Sequence, residues 1–228
     1  MPLPTYAELF YGLQLTEEQQ AYANSIFDKR LTFVNAKSGS GKTTIAVGCA
    51  KIMHEEAKKK GNPLGKPLLY IFSPVQEKAM GFRKGDQEEK EAEYLQPLKD
   101  ALVAIDENPL QVMLSKDMLM GKMNSDSVWV EAKSHVFARG TNIIGKTVII
   151  DEAQNFTRGE LKKILTRIHD DCSVIVIGHT GQIDLPKEDT SGFEPYLRYF
   201  SKKHYCNALE LTKNFRGELS QDADDFTW

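Results

Sequence analysis

The stretch Leu31-Thr32-Phe33-Val34-Asn35-Ala36-Lys37-Ser38-Gly39-Ser40-Gly41-Lys42-Thr43-Thr44 decides how the rest of the chain reads. It begins as a short apolar strand, passes through a glycine-rich turn and opens a helix. Ile45, Ala46, Val47, Cys49, Ala50 and Ile52 continue that helix with a mostly buried pattern. Ala36 to Thr43 fits the phosphate-binding loop pattern, with alanine where a first glycine is commoner. The residue types suit the chemistry. Gly39 and Gly41 let the backbone turn so that successive N–H groups face one anion. The helix that follows adds the positive end of its dipole. Lys42 reaches β- and γ-phosphates as a point charge, and Thr43 offers a hydroxyl to Mg²⁺. The expected nucleotide contacts are therefore Lys37, Ser38, Gly39, Ser40, Gly41, Lys42, Thr43 and Thr44.

A second signal lies at Thr147-Val148-Ile149-Ile150-Asp151-Glu152. A continuous apolar run is the mark of a strand buried on both faces of a parallel sheet. Ligands of open α/β sheets bind where such strands end. Two acids at that point suit the partner chemistry: Asp151 for the Mg²⁺ shell, and Glu152 to polarise the attacking water. Val174-Ile175-Val176-Ile177-Gly178 predicts a further buried strand, with His179, Thr180 and Gln182 at its carboxyl end. A glutamine there can sense a γ-phosphate through its amide. Leu68–Phe72, Val128–Ala132 and Asn207–Leu211 complete the predicted strands. Apolar strands alternating with helices give an α/β class, with a mainly parallel central sheet between helical layers.

The bulk numbers set outer limits. At 228 residues and 41% hydrophobic content the chain can bury one substantial core. A net charge of −3 excludes a wholly basic nucleic-acid binder. No apolar run approaches the ~20 residues needed to span a membrane, and the start Met1-Pro2-Leu3-Pro4 has no signal pattern. Cys49, Cys172 and Cys206 lie far apart in apolar segments, as buried thiols of a reducing compartment do. The five histidines show no metal-ligand spacing. A cytoplasmic protein is expected.

Thr16 with Gln19 three residues on reads as a capping box before a helix running to Lys29. The Gln19 amide also has the donor and acceptor that an adenine edge needs. Lys58-Lys59-Lys60-Gly61-Asn62-Pro63 ends the helix after the loop. Gly81-Phe82-Arg83-Lys84-Gly85-Asp86 reads equally as a surface turn or as a strand-contacting loop, with a base stacked on Phe82 and phosphates at Arg83 and Lys84. A charged helix is expected over Gln87–Asp106, with Pro97 either kinking it or starting a second helix. Gln154, Asn155 and Thr157 lead into a helix through His169, and an amphipathic helix falls within 187–203. After Arg216, Asp222, Asp224, Asp225, Phe226 and Trp228 form a short helix or an acidic tail that docks elsewhere. The organisation reads as an N-terminal segment (1–30), an ATPase core (31–212) and a C-terminal arginine motif with acidic tail (213–228).

Taken together these strings resemble the PhoH-like ATPase family. The resemblance is carried by Ala36 to Thr43, Ile149-Ile150-Asp151-Glu152-Ala153-Gln154-Asn155, Gln182-Ile183-Asp184-Leu185-Pro186 and Ser191-Gly192, with Gly81 to Asp86 as a further match. It covers about residues 16–216. It implies a single-domain RecA-like P-loop core, similar to the N-terminal motor half of superfamily 1 helicases. It also implies ATP hydrolysis with Mg²⁺, ring-like oligomers, often hexamers, and an RNA-linked role. By that resemblance Gln19 reads adenine. Leu211-x-x-Asn214-Phe215-Arg216 resembles a helicase run whose arginine meets the γ-phosphate, although the family more often has Asp-Val-Val-Arg-His there. His179 stands where the family usually has aspartate.

Length adds a physical consequence. A motor that clamps ATP between two RecA-like halves needs both, and this chain has residues for one. A homo-oligomer with sites at subunit interfaces is expected, with Arg216 or Arg139 acting in trans. The leading function is an Mg²⁺-dependent ATPase coupled to remodelling of RNA or single-stranded DNA, contacted through Phe82, Arg83, Lys84 and Arg139. The alternative is a nucleotide-driven switch acting on a protein partner. A phosphate-transferring kinase would need an acceptor pocket that no motif supplies.

Overall fold

Six strands form one sheet in the order β3-β2-β4-β5-β1-β6, and every pairing is parallel. In the computed structural model, which describes residue 10 and residues 12–74, 94–136 and 141–226, the strands are β1 (Leu31–Ala36), β2 (Leu68–Phe72), β3 (Val130–Ser134), β4 (Thr147–Ile150), β5 (Ser173–Gly178) and β6 (Cys206–Leu211). The described helices of four residues or more are α1 (Glu17–Asp28), α2 (Lys42–Lys59), α3 (Gln96–Ala104), α4 (Pro109–Val112), α5 (Lys116–Leu119), α6 (Arg158–Leu165), α7 (Phe193–Phe200) and α8 (Glu218–Asp225).

The three layers follow from strand alternation. Successive side chains point to opposite faces of a strand. Val34 and Ala36 of β1 therefore join Tyr22 and Ile26 of α1, Ile45 and Ala50 of α2 and Leu98 and Leu102 of α3 in one core. Leu31 and Phe33 join Leu161 and Ile164 of α6 and Phe193 of α7 in the other. The Phe33 ring sits between those of Phe193 and Phe200, with centroids 6.1 and 5.9 Å away. The sheet is buried on both sides, which is why its central strands read as unbroken apolar runs. This is the RecA-like P-loop architecture in one domain.

Parallel pairing puts all six carboxyl ends on one edge. The ends of β1, β4, β5 and β6 lead there into Lys37, Asp151, His179 and Thr212. Several predicted boundaries move. The third strand runs Val130–Ser134 instead of starting at Val128, because Trp129 is occupied elsewhere: its N–H bonds to Val112 and its ring stacks on His54. The helix expected from Gln154 to His169 is shorter. A 3₁₀ turn (Ala153–Asn155) comes first, and α6 begins only after a capping box between Thr157 and Glu160. The tail after Gly217 is helical, the first of its two expected forms. The helix expected over Gln87–Asp106 is seen as α3; its predicted beginning lies outside the described residues, as does the Gly81–Asp86 loop. Among the described residues no helix is long and apolar enough to cross a membrane. Cys49, Cys172 and Cys206 are free and buried.

Candidate active site

Gly39 and Gly41 hold φ values of +69° and +77°, the left-handed region that glycine enters without penalty. They turn the chain from β1 into α2, whose first residue is Lys42. The loop is also too tight for side chains. A Cβ on Gly39 would lie 2.5 Å from Asn214 Oδ1, and one on Gly41 would lie 3.3 Å from Gln19 Nε2. The Ser40 hydroxyl is buried with no protein partner. A glycine-shaped cradle, an orphaned buried hydroxyl and a lysine at a helix start match the donor set of a bound phosphate chain.

The acids of β4 meet this loop. Thr43 Oγ1 donates to Asp151 Oδ2 at 2.9 Å, and Lys42 Nζ lies 3.8 Å from Glu152 Oε1. The expected pairing of loop and acids is therefore present in space. Asp151 is 1% exposed and its two oxygens are shared out. Oδ1 accepts from the Glu152 N–H at 2.9 Å, and Oδ2 accepts a second bond from the Tyr70 hydroxyl at 2.6 Å. Burial, with the adjacent Asp151 charge, drives the Tyr70 phenol well above its ordinary range, so the hydroxyl keeps its proton and donates. Among the described residues no group of three or more His, Cys, Asp and Glu side chains is placed to hold a metal. The donor set fits Mg²⁺, which takes one or two protein ligands and completes its shell with phosphate oxygens and water. Thr43 and Asp151 are the residues that would hold it.

Glu152 is held in an unusual way. Its backbone is left-handed, with φ +50° and ψ +43°, a state that a non-glycine residue keeps only when its surroundings impose it. Gln154 supplies the restraint. Its Nε2 donates to Glu152 Oε2 at 2.6 Å, and its Oε1 accepts from the His179 N–H at 3.0 Å. Ser191 Oγ donates to the Gln154 carbonyl at 2.7 Å. Burial first and the Asp151 charge second raise the Glu152 carboxyl above its usual range, while Lys42 pulls it down. Its side chain is still 45% exposed, so water offsets part of that effect. Asn155 and Asp184 form a reciprocal pair beside it: Asn155 Nδ2 donates to Asp184 Oδ2 at 2.9 Å and Asp184 N–H donates to Asn155 Oδ1 at 2.8 Å.

The remaining expected site residues are placed as follows. Gln182 sits at the carboxyl end of β5 beside the site, and its Nε2 donates to Asp224 Oδ1 at 2.9 Å. Lys37 pairs with Asp225. Thr44 lies half-buried in the first turn of α2. Gln19 forms the predicted capping box, accepting the Thr16 N–H at 3.0 Å, and it also clamps the phosphate loop by donating to the Ser40 carbonyl at 2.9 Å. One N–H and one lone pair of its amide remain for an adenine. Within this chain Arg216 lies against its own loop: its Nη1 donates to Ser38 Oγ at 2.6 Å. The cause is local, since Phe215 N–H donates to the Gly39 carbonyl at 2.9 Å and carries the motif onto the loop. Phe82, Arg83, Lys84 and Arg139 lie outside the described residues.

A cleft of about 520 Å³ opens beside Glu152, lined by Gln154, Thr180, Gln182, Asp184 and Glu188 among others, with no lysine or arginine among the described residues of its lining. Tyr70, Gln154 and the Asn155–Asp184 pair had no role assigned from sequence. The last two were visible as parts of the run Asp-Glu-Ala-Gln-Asn and of Gln-Ile-Asp-Leu-Pro. Tyr70 had only one sign, a single polar atom inside an apolar strand.

The PhoH-like protein family model matches residues 13–225. Relatives include Protein PhoH of Escherichia coli (strain K12), 31% identical over 88% of this chain and 53% of that protein. Protein PhoH2 of Bacillus subtilis (strain 168) is 30% identical over 96% of this chain and 48% of its own length. The chain thus spans about half the length of these relatives. Similar solved structures include the Sulfolobus solfataricus SWI2/SNF2 ATPase core in complex with dsDNA, at TM-score 0.44 and 14% identity over 87% of this chain and 45% of that one. With the family's extent covering the loop, both acids and the segment that holds Glu152, the chain belongs to the PhoH-like protein family.

Proposed function

We propose that the chain is an Mg²⁺-dependent ATPase whose hydrolysis is coupled to remodelling of RNA or single-stranded DNA. The observation that carries the hydrolytic half is the meeting of Lys42 and Thr43 with Glu152 and Asp151 at one sheet edge. Lys42 holds the β- and γ-phosphates, while Thr43 and Asp151 hold the metal. Mg²⁺, when bound, neutralises charge on the phosphate oxygens. Glu152, with its raised proton affinity and its Gln154 restraint, accepts the proton of the attacking water. Gln182 senses the γ-phosphate, and Arg216 meets it in cis from its seat on Ser38. Gln19 uses its remaining amide capacity on adenine.

Among the described residues, the lining of the cleft beside Glu152 carries carboxylates and no lysine or arginine. Such a site hydrolyses slowly until an arginine approaches its open side, an addition worth about 10³–10⁵ in rate. A ring-like homo-oligomer, such as a hexamer, would bring that arginine from a neighbour, and Arg139 is the residue proposed for it. Phe82, Arg83 and Lys84 are proposed as the nucleic-acid contacts.

The test is ATP turnover with and without RNA and single-stranded DNA, run beside Lys42→Ala. Loss of the lysine should lower turnover by about 10²–10³. Normal turnover in the variant would overturn the hydrolytic reading. Stimulation by a nucleic acid that fades with salt would support the coupling, and no stimulation by any RNA or single-stranded DNA would remove it. The net charge of −3 and the acidic cleft favour a second reading, a nucleotide-driven switch on a protein partner. ATP-dependent capture of such a partner, with no nucleic-acid effect, would select it.

A further inference from the structure

After β6 the chain does not leave the site. Phe215 N–H holds the Gly39 carbonyl, Arg216 holds Ser38, and Asn214 Nδ2 donates to Ser220 Oγ at 2.7 Å, which ties the start of α8 to the same loop. The far end of α8 then comes down on the phosphate side. Asp225 pairs with Lys37, and Asp224 accepts from Gln182. These are two of the groups expected to meet a nucleotide's phosphates. In each contact a carboxylate of α8 occupies a donor that the sequence assigns to a phosphate oxygen.

We propose that α8 is an autoinhibitory cover, whose Asp224 and Asp225 compete with the nucleotide's phosphates for Gln182 and Lys37. The proposal rests on the ATPase reading and adds regulation to that same site.

The forces on α8 show a cover built to leave. None of its residues is buried, and Leu219 is 86% exposed. The contacts seen at its two ends are polar, through Asn214, Lys37 and Gln182. Its last turn carries acids and no base. Carboxylates there oppose the negative end of the helix's own dipole, and the Lys37 charge relieves that repulsion only while the helix is docked. Lys37 and Asp225 are 29% and 53% exposed, and solvent screens a pair that open. Asp224 Oδ2 is buried with no hydrogen-bond partner, and so is His179 Nδ1. Burial holds the His179 imidazole below its ordinary range, so at neutral pH it gives no full charge to the carboxylate. A nucleotide, with more charge and more contacts to the loop, displaces such a helix. Nucleotide at low concentration does not.

The experiment compares the full chain with Asp224→Asn/Asp225→Asn, using a fluorescent non-hydrolysable ATP analogue at low and high salt. Asp222→Asn is the control: Asp222 is an exposed acid on the same helix, so its removal changes charge without removing a contact. The double variant should bind about 3–10-fold more tightly at low salt, with the gap closing as salt screens the ion pair. Asp222→Asn should bind like the wild type. Hydrogen exchange over 218–225 should rise when the analogue is added. Equal or weaker binding by the double variant overturns the cover, as does an equal gain from Asp222→Asn. Wild-type binding with no gain in the double variant removes the cover and leaves the ATPase reading. No binding by any of the three chains removes both.

Discussion

Asp151 and Tyr70 show how one buried hydroxyl can set a site. The carboxylate takes Thr43 and Tyr70 on one oxygen and its neighbour's N–H on the other. When Thr43 turns to a metal, Tyr70 is the side-chain donor that still fixes the ligand's direction. Outer partners of this kind are worth about 10–100-fold in metal affinity. Tyr70→Phe should therefore weaken nucleotide binding about 10-fold in the presence of Mg²⁺ and leave binding in EDTA unchanged. Titration of a fluorescent nucleotide under both conditions checks it. Equal weakening in both would mean that Tyr70 only supports the fold. Glu152 makes a second prediction, on pH. Its proton affinity is raised in the folded chain, so activity should fall on the acid side with a midpoint above the ordinary glutamate range. The folded state also binds that proton more readily than the unfolded state does. The charged group therefore costs stability above its raised pKa, and the cost vanishes below the unfolded value. Glu152→Gln should be more stable than wild type at neutral pH and lose that advantage near about pH 4. Urea melts at the two pH values read it, and the same variant should lose about 10²–10⁴ in turnover.

At the scale of elements, the turn after β4 and the loop after β5 act as one piece. Asn155 and Asp184 exchange two hydrogen bonds, and Gln154 joins the His179 N–H and Ser191 to Glu152. Groups in one network do not add independently. Removing either member of the Asn155–Asp184 pair should remove most of what removing both does. A double-mutant cycle of Asn155→Ala and Asp184→Ala in urea should give a coupling of about 0.5–3 kcal/mol; simple additivity would mean that the pair is not a unit. The boundaries of the strands were largely legible because a strand buried on both faces must be continuously apolar. The network was not. Hydrogen bonds between loops of distant sequence leave no periodic trace, and only the side-chain types were on view.

For the whole molecule, the parallel sheet does the gathering. It brings residues from 19 to 225 to one edge, and it leaves the Glu152 side of the site as an acidic cleft. Sedimentation with a non-hydrolysable ATP analogue should show an assembly larger than the monomer, and full turnover by a strict monomer would sink the idea. Arg216 already lies on its own phosphate loop through Ser38, so Arg139 is the residue proposed to act from a neighbour.

By itself the sequence determined the loop, the strand that precedes it, the acids that end β4 and the α/β class. Each depends on short-range rules: glycine where φ is positive, apolar runs where both faces are covered, acids where a strand stops. Tertiary structure alone decided that Tyr70 holds Asp151, that Gln154 holds Glu152, that Arg216 turns inward and that α8 lies on Lys37 and Gln182. Those are contacts between side chains far apart in sequence. Their partners are set by the sheet's strand order and by competition among buried polar groups for the hydrogen bonds within reach.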